Sequence, residues 1–600
     1  MLPRQQTLRA VVDWSWDLLD AGERAVLRRL SVFAGGCDLT AAEAVCADPG
    51  HGPSADAAPG GSRPPRARGD DIATVLGSLV DKSLVVAVPA SHPDAGMRYR
   101  LLETVAEYAA ERLDEAGDRA AAERAHLVHY RELARTTDPL LRGAEQRVAL
   151  DTLQREYENL RTALRRAHAA RDEHEVLCLV LSLTWYWQMV DQRVEARHWA
   201  TAAVELGPDP FAEPAGPAPP IHQRCTDTPP PMSDEVLEEA RREVRILEMI
   251  NADLSVETWV AEHEDWLRVV TRVYRAGLPQ TCRHPGMFWL MALLFTGHAD
   301  RLVEALDETV LACEEFGYDW DLASVLRMRA NVRANRAVTA EAGTRDAERA
   351  LALFERLGDA WGSAEALAAR GEAHEKTCRF AEAAADYTAA LQYAERLGAR
   401  NHVALLRVRL AQNLVELGRG AEAEEMLRDV LAAHSPEEGG GNNHDVAPAA
   451  RMFLALWLGR TGRRQEAREQ LRQVQELFHD QSLAFFGGFI AAAVAWLDVE
   501  DGSFAAAREG VREALNHSLM PLSRTMAPEM GAGPGRDAVR LLGAYEALVP
   551  EGHVRSPYES ELYEAAEKET LEALLGDTAA HPEARAAGAA LSLEEATALV

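Results

Sequence analysis

No run of about twenty apolar residues occurs in this 600-residue chain, so it offers no segment suited to span a bilayer as a helix. The opening Met1-Leu-Pro-Arg-Gln-Gln6 is polar and lacks the apolar stretch of a signal peptide. Cys-x-x-Cys is absent, and the seven cysteines are scattered at 37, 46, 178, 225, 282, 313 and 378. An odd count without pattern argues against a disulfide framework and for a reducing cytoplasm. Gly-Lys-Ser/Thr is missing everywhere, and a phosphate-binding loop needs it. The nearest glycine run, Gly531-Ala-Gly-Pro-Gly-Arg536, has no lysine, and Pro534 removes a needed N–H. Gly-x-Ser-x-Gly and His-Glu-x-x-His are absent too. His126 and His129 share a helical face but have no third donor in the pattern, so they read as structural rather than as a metal site. These absences leave no reaction for the chain to run, and no cofactor is expected.

Positive charge is also short. The formal net charge is −31. Nucleic acid would be repelled unless a local basic patch overrode that total. The densest basic cluster, Arg63-Pro-Pro-Arg-Ala-Arg68, falls in a loop rich in proline and glycine. Residues 1–118 hold 12 Lys+Arg against 18 Asp+Glu, a net −6.

What is present is mostly helix. Asp20 with Glu23, and Thr40 with Glu43, are capping-box spacings that open helices in the first 46 residues. Residues 47–71 read as an inserted loop. Ile72 to Val80 reads as a third helix and Leu84 to Val88 as a strand. Residues 89–96 form a turn, and Arg98-Tyr-Arg-Leu-Leu-Glu-Thr-Val-Ala-Glu-Tyr-Ala109 is a strand running into a helix. That order predicts a small winged-helix domain with a β-hairpin over 1–118. The helix Ile72–Val80 would be its groove-reading helix, yet it carries no Lys, Arg, Asn or Gln before Lys82. DNA contact through it is not expected.

Residues 119–206 read as a helical connector holding the first repeat-like helices. The proline-dense 207–233, with Pro219-Pro220 and Pro229-Pro-Pro231, reads as a linker. Residues 234–600 read as a repeat array. Gly371 and Ala383 fall where paired helices cross closely, and Phe380, Tyr387 and Leu391 where large side chains fill between them. Ala423, Ala467 and Ala507 match Ala383 at offsets of 40, 44 and 40 residues. Gly418, Gly462 and Gly502 stand five residues before these alanines, at inter-helix turns. The unit resembles a tetratricopeptide repeat (TPR), although the simple repeat is about 34 residues long. The predicted fold is mostly α: a winged helix followed by a TPR-like α-solenoid. Trp185, Trp187, Trp199, Trp259, Trp266, Trp289, Trp457 and Trp496 are expected to pack between helices, with a few free to line a groove.

Several stretches resemble the Streptomyces antibiotic regulatory protein (SARP) family and its relatives among large LuxR-type regulators, within the signal-transducing (STAND, NB-ARC-containing) ATPases. They are Thr7-Leu-Arg-Ala-Val-Val-Asp-Trp-Ser-Trp-Asp-Leu-Leu19, Leu30-Ser-Val-Phe-Ala-Gly-Gly36, Leu79-Val-Asp-Lys-Ser-Leu-Val-Val86, Tyr99-Arg-Leu-Leu-Glu-Thr-Val105, Glu156-Tyr-Glu-Asn-Leu-Arg-Thr-Ala-Leu164 and Leu591-Ser-Leu-Glu-Glu-Ala-Thr-Ala-Leu599. The resemblance implies an arm that follows an ATPase module, here acting with a nucleotide-binding ATPase domain or protein in trans. In related switches a Met-His-Asp triplet of the winged helix touches the nucleotide. Leu101, Leu102 and Glu103 stand at the matching positions, and leucine cannot hydrogen-bond a phosphate. The expected function is a non-enzymatic sensor of protein or small-molecule signals serving transcription regulation. The alternatives are a free-standing TPR scaffold and a DNA-binding factor using the winged helix.

Overall fold

A computed structural model describes residues 3–47, 69–89, 96–252, 256–296, 298–334, 337–434, 446–478, 484–518, 536–549, 554–555, 560, 563–564, 566–568 and 580–591. Most of the described chain is helical, and its single sheet has two antiparallel strands. The insert at 47–71, the hairpin tip, the glycine run at 531–536 and the segment 591–599 lie largely outside these residues.

The N-terminal part contains α1 (Pro3–Asp17), α2 (Ala21–Leu30), α3 (Leu39–Cys46) and α4 (Gly69–Asp81), then β1 (Val85–Pro89), β2 (Met97–Leu101) and α5 (Glu103–Glu115). The Asp20–Glu23 capping box forms in full, which fixes the start of α2. The second cap differs from the expected one. Asp38, not Thr40, caps α3, because its carboxylate accepts the Ala41 N–H from an extended backbone. The hairpin pairs Val85 with Leu101 and Pro89 with Met97, and Cys37 bridges to Tyr99 on the other side of β2. Gly36 makes that bridge possible. Its φ is +92°, and a Cβ there would sit 2.4 Å from the Tyr99 carbonyl oxygen.

The boundary at 118/119 does not separate two cores. Following it are α6 (Arg119–Thr137), α7 (Gln146–Arg155), α8 (Tyr157–Ala169), α9 (Glu173–Met189) and α10 (Arg193–Val204). Buried Asn159 of α8 accepts the Ala34 N–H at 2.8 Å and donates to the Gly36 carbonyl at 2.9 Å. Arg98 of β2 donates to Glu156 at 2.5 Å and to the Gly36 carbonyl at 3.0 Å. Leu30–Gly36 and Glu156–Leu164 are thus two halves of one joint. A continuous apolar core runs from Val12 through this joint to Leu397.

The segment 207–233 is a correction to the linker expectation, for it is packed. Phe211 is buried edge-on against Trp266 and Tyr274, and Ile221, Cys225 and Met232 are buried with it. Proline supplies no N–H, so the segment's carbonyls depend on side chains from elsewhere. Arg283 donates to the Ile221 and His222 carbonyls at 3.0 and 2.7 Å, Gln280 to Pro219 at 2.7 Å, and Arg135 to Thr226 and Asp227. The segment therefore fuses α11 (Asp234–Ile250) and α12 (Val256–Val273) to the preceding helices rather than spacing them apart.

Beyond α13 (Leu290–Phe295) and α14 (Ala299–Phe316) the helices pair as hairpins: α15 (Asp319–Ala334) with α16 (Ala337–Leu357), α17 (Ala360–Glu375) with α18 (Phe380–Leu397), α19 (Arg400–Glu416) with α20 (Gly420–Ala433), α21 (Val446–Arg460) with α22 (Arg464–Phe478), and α23 (Ala484–Glu500) with α24 (Phe504–Ser518). A last pair is α25 (Arg536–Leu548) with α26 (Ala580–Ala589). Each unit covers the apolar face of its neighbour. Ala383, Ala423, Ala467 and Ala507 are all buried at the helix crossings. A Cβ on Gly371 would reach the Tyr387 ring at 3.0 Å, so that crossing accepts glycine alone without a shift. Gly418, Gly462 and Gly502 all have positive φ, which ends one helix and reverses the chain into the next. Among the described residues no helix is long and apolar enough to cross a membrane.

Candidate functional site

A cleft of about 330 Å³ opens where the packed N-terminal helices meet the array. It exists because α9 is apolar around most of its circumference and buries nearly every residue, so its last turn must be covered from several sides. Trp187 and Gln188 come from α9, Ala196 from α10, Met249 and Ile250 from the end of α11, Trp259 from α12, and Phe288, Met291 and Phe295 from around α13. A volume of this size and a wall this aromatic are those of a small-molecule pocket. The Trp187 indole N–H donates to the Tyr157 hydroxyl at 2.8 Å, which fixes its plane. Trp259 lies parallel to His263, 4.3 Å between centroids and 7° between planes. His263 Nδ1 stands 2.9 Å from the Trp259 carbonyl oxygen. The polar rim consists of the Gln188 and Asn251 amides and the Asp191–Arg193 pair at 3.5 Å.

Behind the cleft, one to three turns nearer the start of α11, lies a buried polar cluster. Glu239 accepts from the Tyr274 hydroxyl at 2.5 Å and from Arg242 at 3.0 Å. One turn on, Glu243 has Cys225 for a partner, and burial together with the Glu239 charge pushes its carboxyl up to about 8. Arg142 pairs with Asp138 at 2.8 Å and lies over the rings of Trp185 and Trp320. Arg224 reaches Asp321 at 3.3 Å, and burial raises the Asp321 pKa against the pull of that cation. His284, enclosed by Trp185, Trp320 and Phe288, is held well below its usual range by burial first and by Arg142 next. These groups stabilise a dense charged core, and the void among them, about 20 Å³, has room for roughly one water.

Of the eight tryptophans that the sequence offers without choosing among them, Trp187, itself largely buried, and Trp259 line the cleft, while Trp185 and Trp289 are buried in packing. Phe288, Met291 and Phe295 carried no signal of their own, because the wall is assembled from segments more than a hundred residues apart. Gly371, Ala383, Tyr387, Ala423, Ala467 and Ala507 lie at crossings outside the cleft. His126 is buried against Phe33 and Tyr130, its Nε2 3.3 Å from Asn159, and burial pushes it down to about 3. Leu102 ends the hairpin half exposed, with Glu103 exposed beside it.

Two faces of the N-terminal part bear on what it can touch. The described outer face of α4 is Ala73, Thr74, Gly77 and Asp81, with Ile72, Leu76 and Leu79 turned inward. The nearest cation, Lys82, is paired with Glu23. On α1, Val11, Trp14 and Leu18 are 56, 67 and 60 % exposed and share one helical face.

No family model matches the chain. It is 35% identical over 202 residues, 34% of its length, to proteins named "Putative HTH-type transcriptional regulator" in Mycobacterium bovis and Mycobacterium tuberculosis. It spans about a fifth of those regulators. It is also 38% identical over 139 residues, 23% of the chain and 30% of the other, to an uncharacterized protein of Mycobacterium tuberculosis. Among solved structures it is similar to a signal transduction ATPase with numerous domains (STAND) with a tetratricopeptide repeat sensor, from Pyrococcus horikoshii. That likeness has 11% identity and a TM-score of 0.37, over 79% of this chain and 66% of that one. Over a third of its length, then, the chain is related in sequence to proteins named as regulators of transcription.

Proposed function

We propose that the chain is a non-enzymatic sensor module of a STAND-type transcriptional regulator, working in the cytoplasm. Its helical array receives a protein or small-molecule signal. Its winged helix packs on a nucleotide-binding ATPase domain, supplied in trans, and passes the signal on by favouring one arrangement of the two over the other. The observation that carries this reading is the apolar stripe Val11, Trp14 and Leu18, which is exposed among the described residues. The outer face of α4 supports it from the other side, since it offers alanine, threonine, glycine and aspartate where a DNA reader presents cations and amides. A free-standing TPR scaffold would need no such stripe on α1, and a DNA-binding factor would need a different α4.

The pair Trp14→Glu and Leu18→Glu tests the reading in the native host. Both side chains are exposed, so the purified double variant is expected to keep its helical circular dichroism and to lose no more than about 0.5 kcal/mol of stability per site. Transcript profiling is expected to show one set of genes shifting both when the chain is deleted and when the double variant replaces it. A deletion that shifts no transcript, or a double variant that behaves as wild type, contradicts the proposal.

A further inference from the structure

We infer that the cleft between α9, α11 and α13 is the receptor site for an uncharged, flat, aromatic small molecule. This deepens the sensor reading by naming the place and chemistry of one signal, and it rests on that reading for its purpose. Three observations meet there. The first is shape: about 330 Å³ of space bounded by two indoles, two phenyl rings and two thioethers. Core aromatics normally close over such space, because interiors are packed to crystal density. Here Trp259, Phe288 and Phe295 stay partly exposed around it.

The second is rigidity. Trp187 is tied to Tyr157, and Trp259 is braced face to face by His263. Walls already fixed in place lose little freedom when a planar guest slides between them. Met291 adds an adaptable thioether to the wall.

The third is charge. The ions at the rim, Asp191 and Arg193, face each other at 3.5 Å. A charged guest would give up its water and find a counter-ion already engaged, which is costly. An uncharged guest with one polar edge meets the Gln188 and Asn251 amides instead. The buried carboxylates Glu239 and Glu243 lie on earlier turns of α11 and do not line this cleft.

N-phenyl-1-naphthylamine is a suitable probe: uncharged, built on a flat naphthalene, and fluorescent in apolar surroundings. The full chain is expected to bind one molecule per chain, with quenching of indole emission. Ala196→Trp fills the cleft from α10 and Met291→Ala trims its wall. Each is expected to weaken binding by about tenfold or more while the unfolding midpoint stays near wild type. 2-Naphthol is expected to displace the probe at least about tenfold better than naphthalene-1-sulfonate or a naphthyl trimethylammonium ion. The inference is overturned by a folded chain that does not bind the probe, by both variants binding as wild type, or by a charged congener displacing best. None of those outcomes touches the transcript experiment, which stands or falls with the regulatory role alone.

Discussion

Glu243→Gln is expected to make the protein more stable at pH 8, not less. The carboxyl is buried one helical turn from Glu239, and burial plus that neighbouring charge pushes it up to about 8 from an ordinary 4.5. Between these two values the folded chain holds a proton that the unfolded chain has released. The stability this group supplies is therefore complete below about pH 4.5 and is lost as pH rises toward 8. One pKa unit corresponds to about 1.4 kcal/mol, so the loss by pH 8, where the folded group is half titrated, is on the order of 4 kcal/mol. Glutamine keeps the shape and the hydrogen-bonding capacity of the protonated acid and has no proton to lose. Urea unfolding from pH 5 to 8 is expected to show a falling midpoint for wild type and a flatter one for the variant. Parallel curves would mean that Glu243 is ionised in the folded protein.

Glu175→Ala is expected to cost about 3 kcal/mol, since it takes from Arg131 its buried carboxylate and leaves it the more exposed Glu132. Glu175 is 1% exposed and accepts from Arg131 at 2.9 Å and from Arg124 at 2.8 Å. Arg124 is half exposed and can turn to water, whereas Arg131, about 5% exposed, cannot. The pair joins α6 to α9, so its loss loosens the helix that carries Trp187. The double change Glu175→Leu with Arg131→Met removes both charges and keeps the volume, and it is expected to recover most of the loss. Equal unfolding midpoints for the single and double variants would show that the missing bulk, not the stranded charge, sets the cost.

Elements governed by neighbours in sequence were readable. The Asp20–Glu23 box, the glycines that turn at 418, 462 and 502, and the small residues at 371, 383, 423, 467 and 507 all act over a few residues or one repeat, and the chain states them directly. Asp38 displaced Thr40 as a cap because either residue suits the role, and backbone geometry chose between them. The segment 207–233 was misread for a deeper reason. Its prolines describe a chain without donors, but whether its carbonyls face water or protein depends on Gln280 and Arg283, some sixty residues away. The cleft was readable only in part for the same reason. Eight tryptophans stand out by type, but that Trp187 and Trp259 become walls together with Ala196, Phe288 and Met291 is decided only once α9, α10 and α13 are brought together.

The claim on which the functional account turns is that this chain serves transcription without reading DNA itself. Fluorescence anisotropy of labelled host promoter duplexes, titrated with the full chain at about 50 mM salt, tests it most directly, since weak phosphate contacts are strongest at low salt. With a net charge of −31 and no cation on the described outer face of α4, the expected result is no saturable binding and no preference among sequences. Tight, sequence-dependent binding that is lost on Thr74→Asp in α4 would contradict the account.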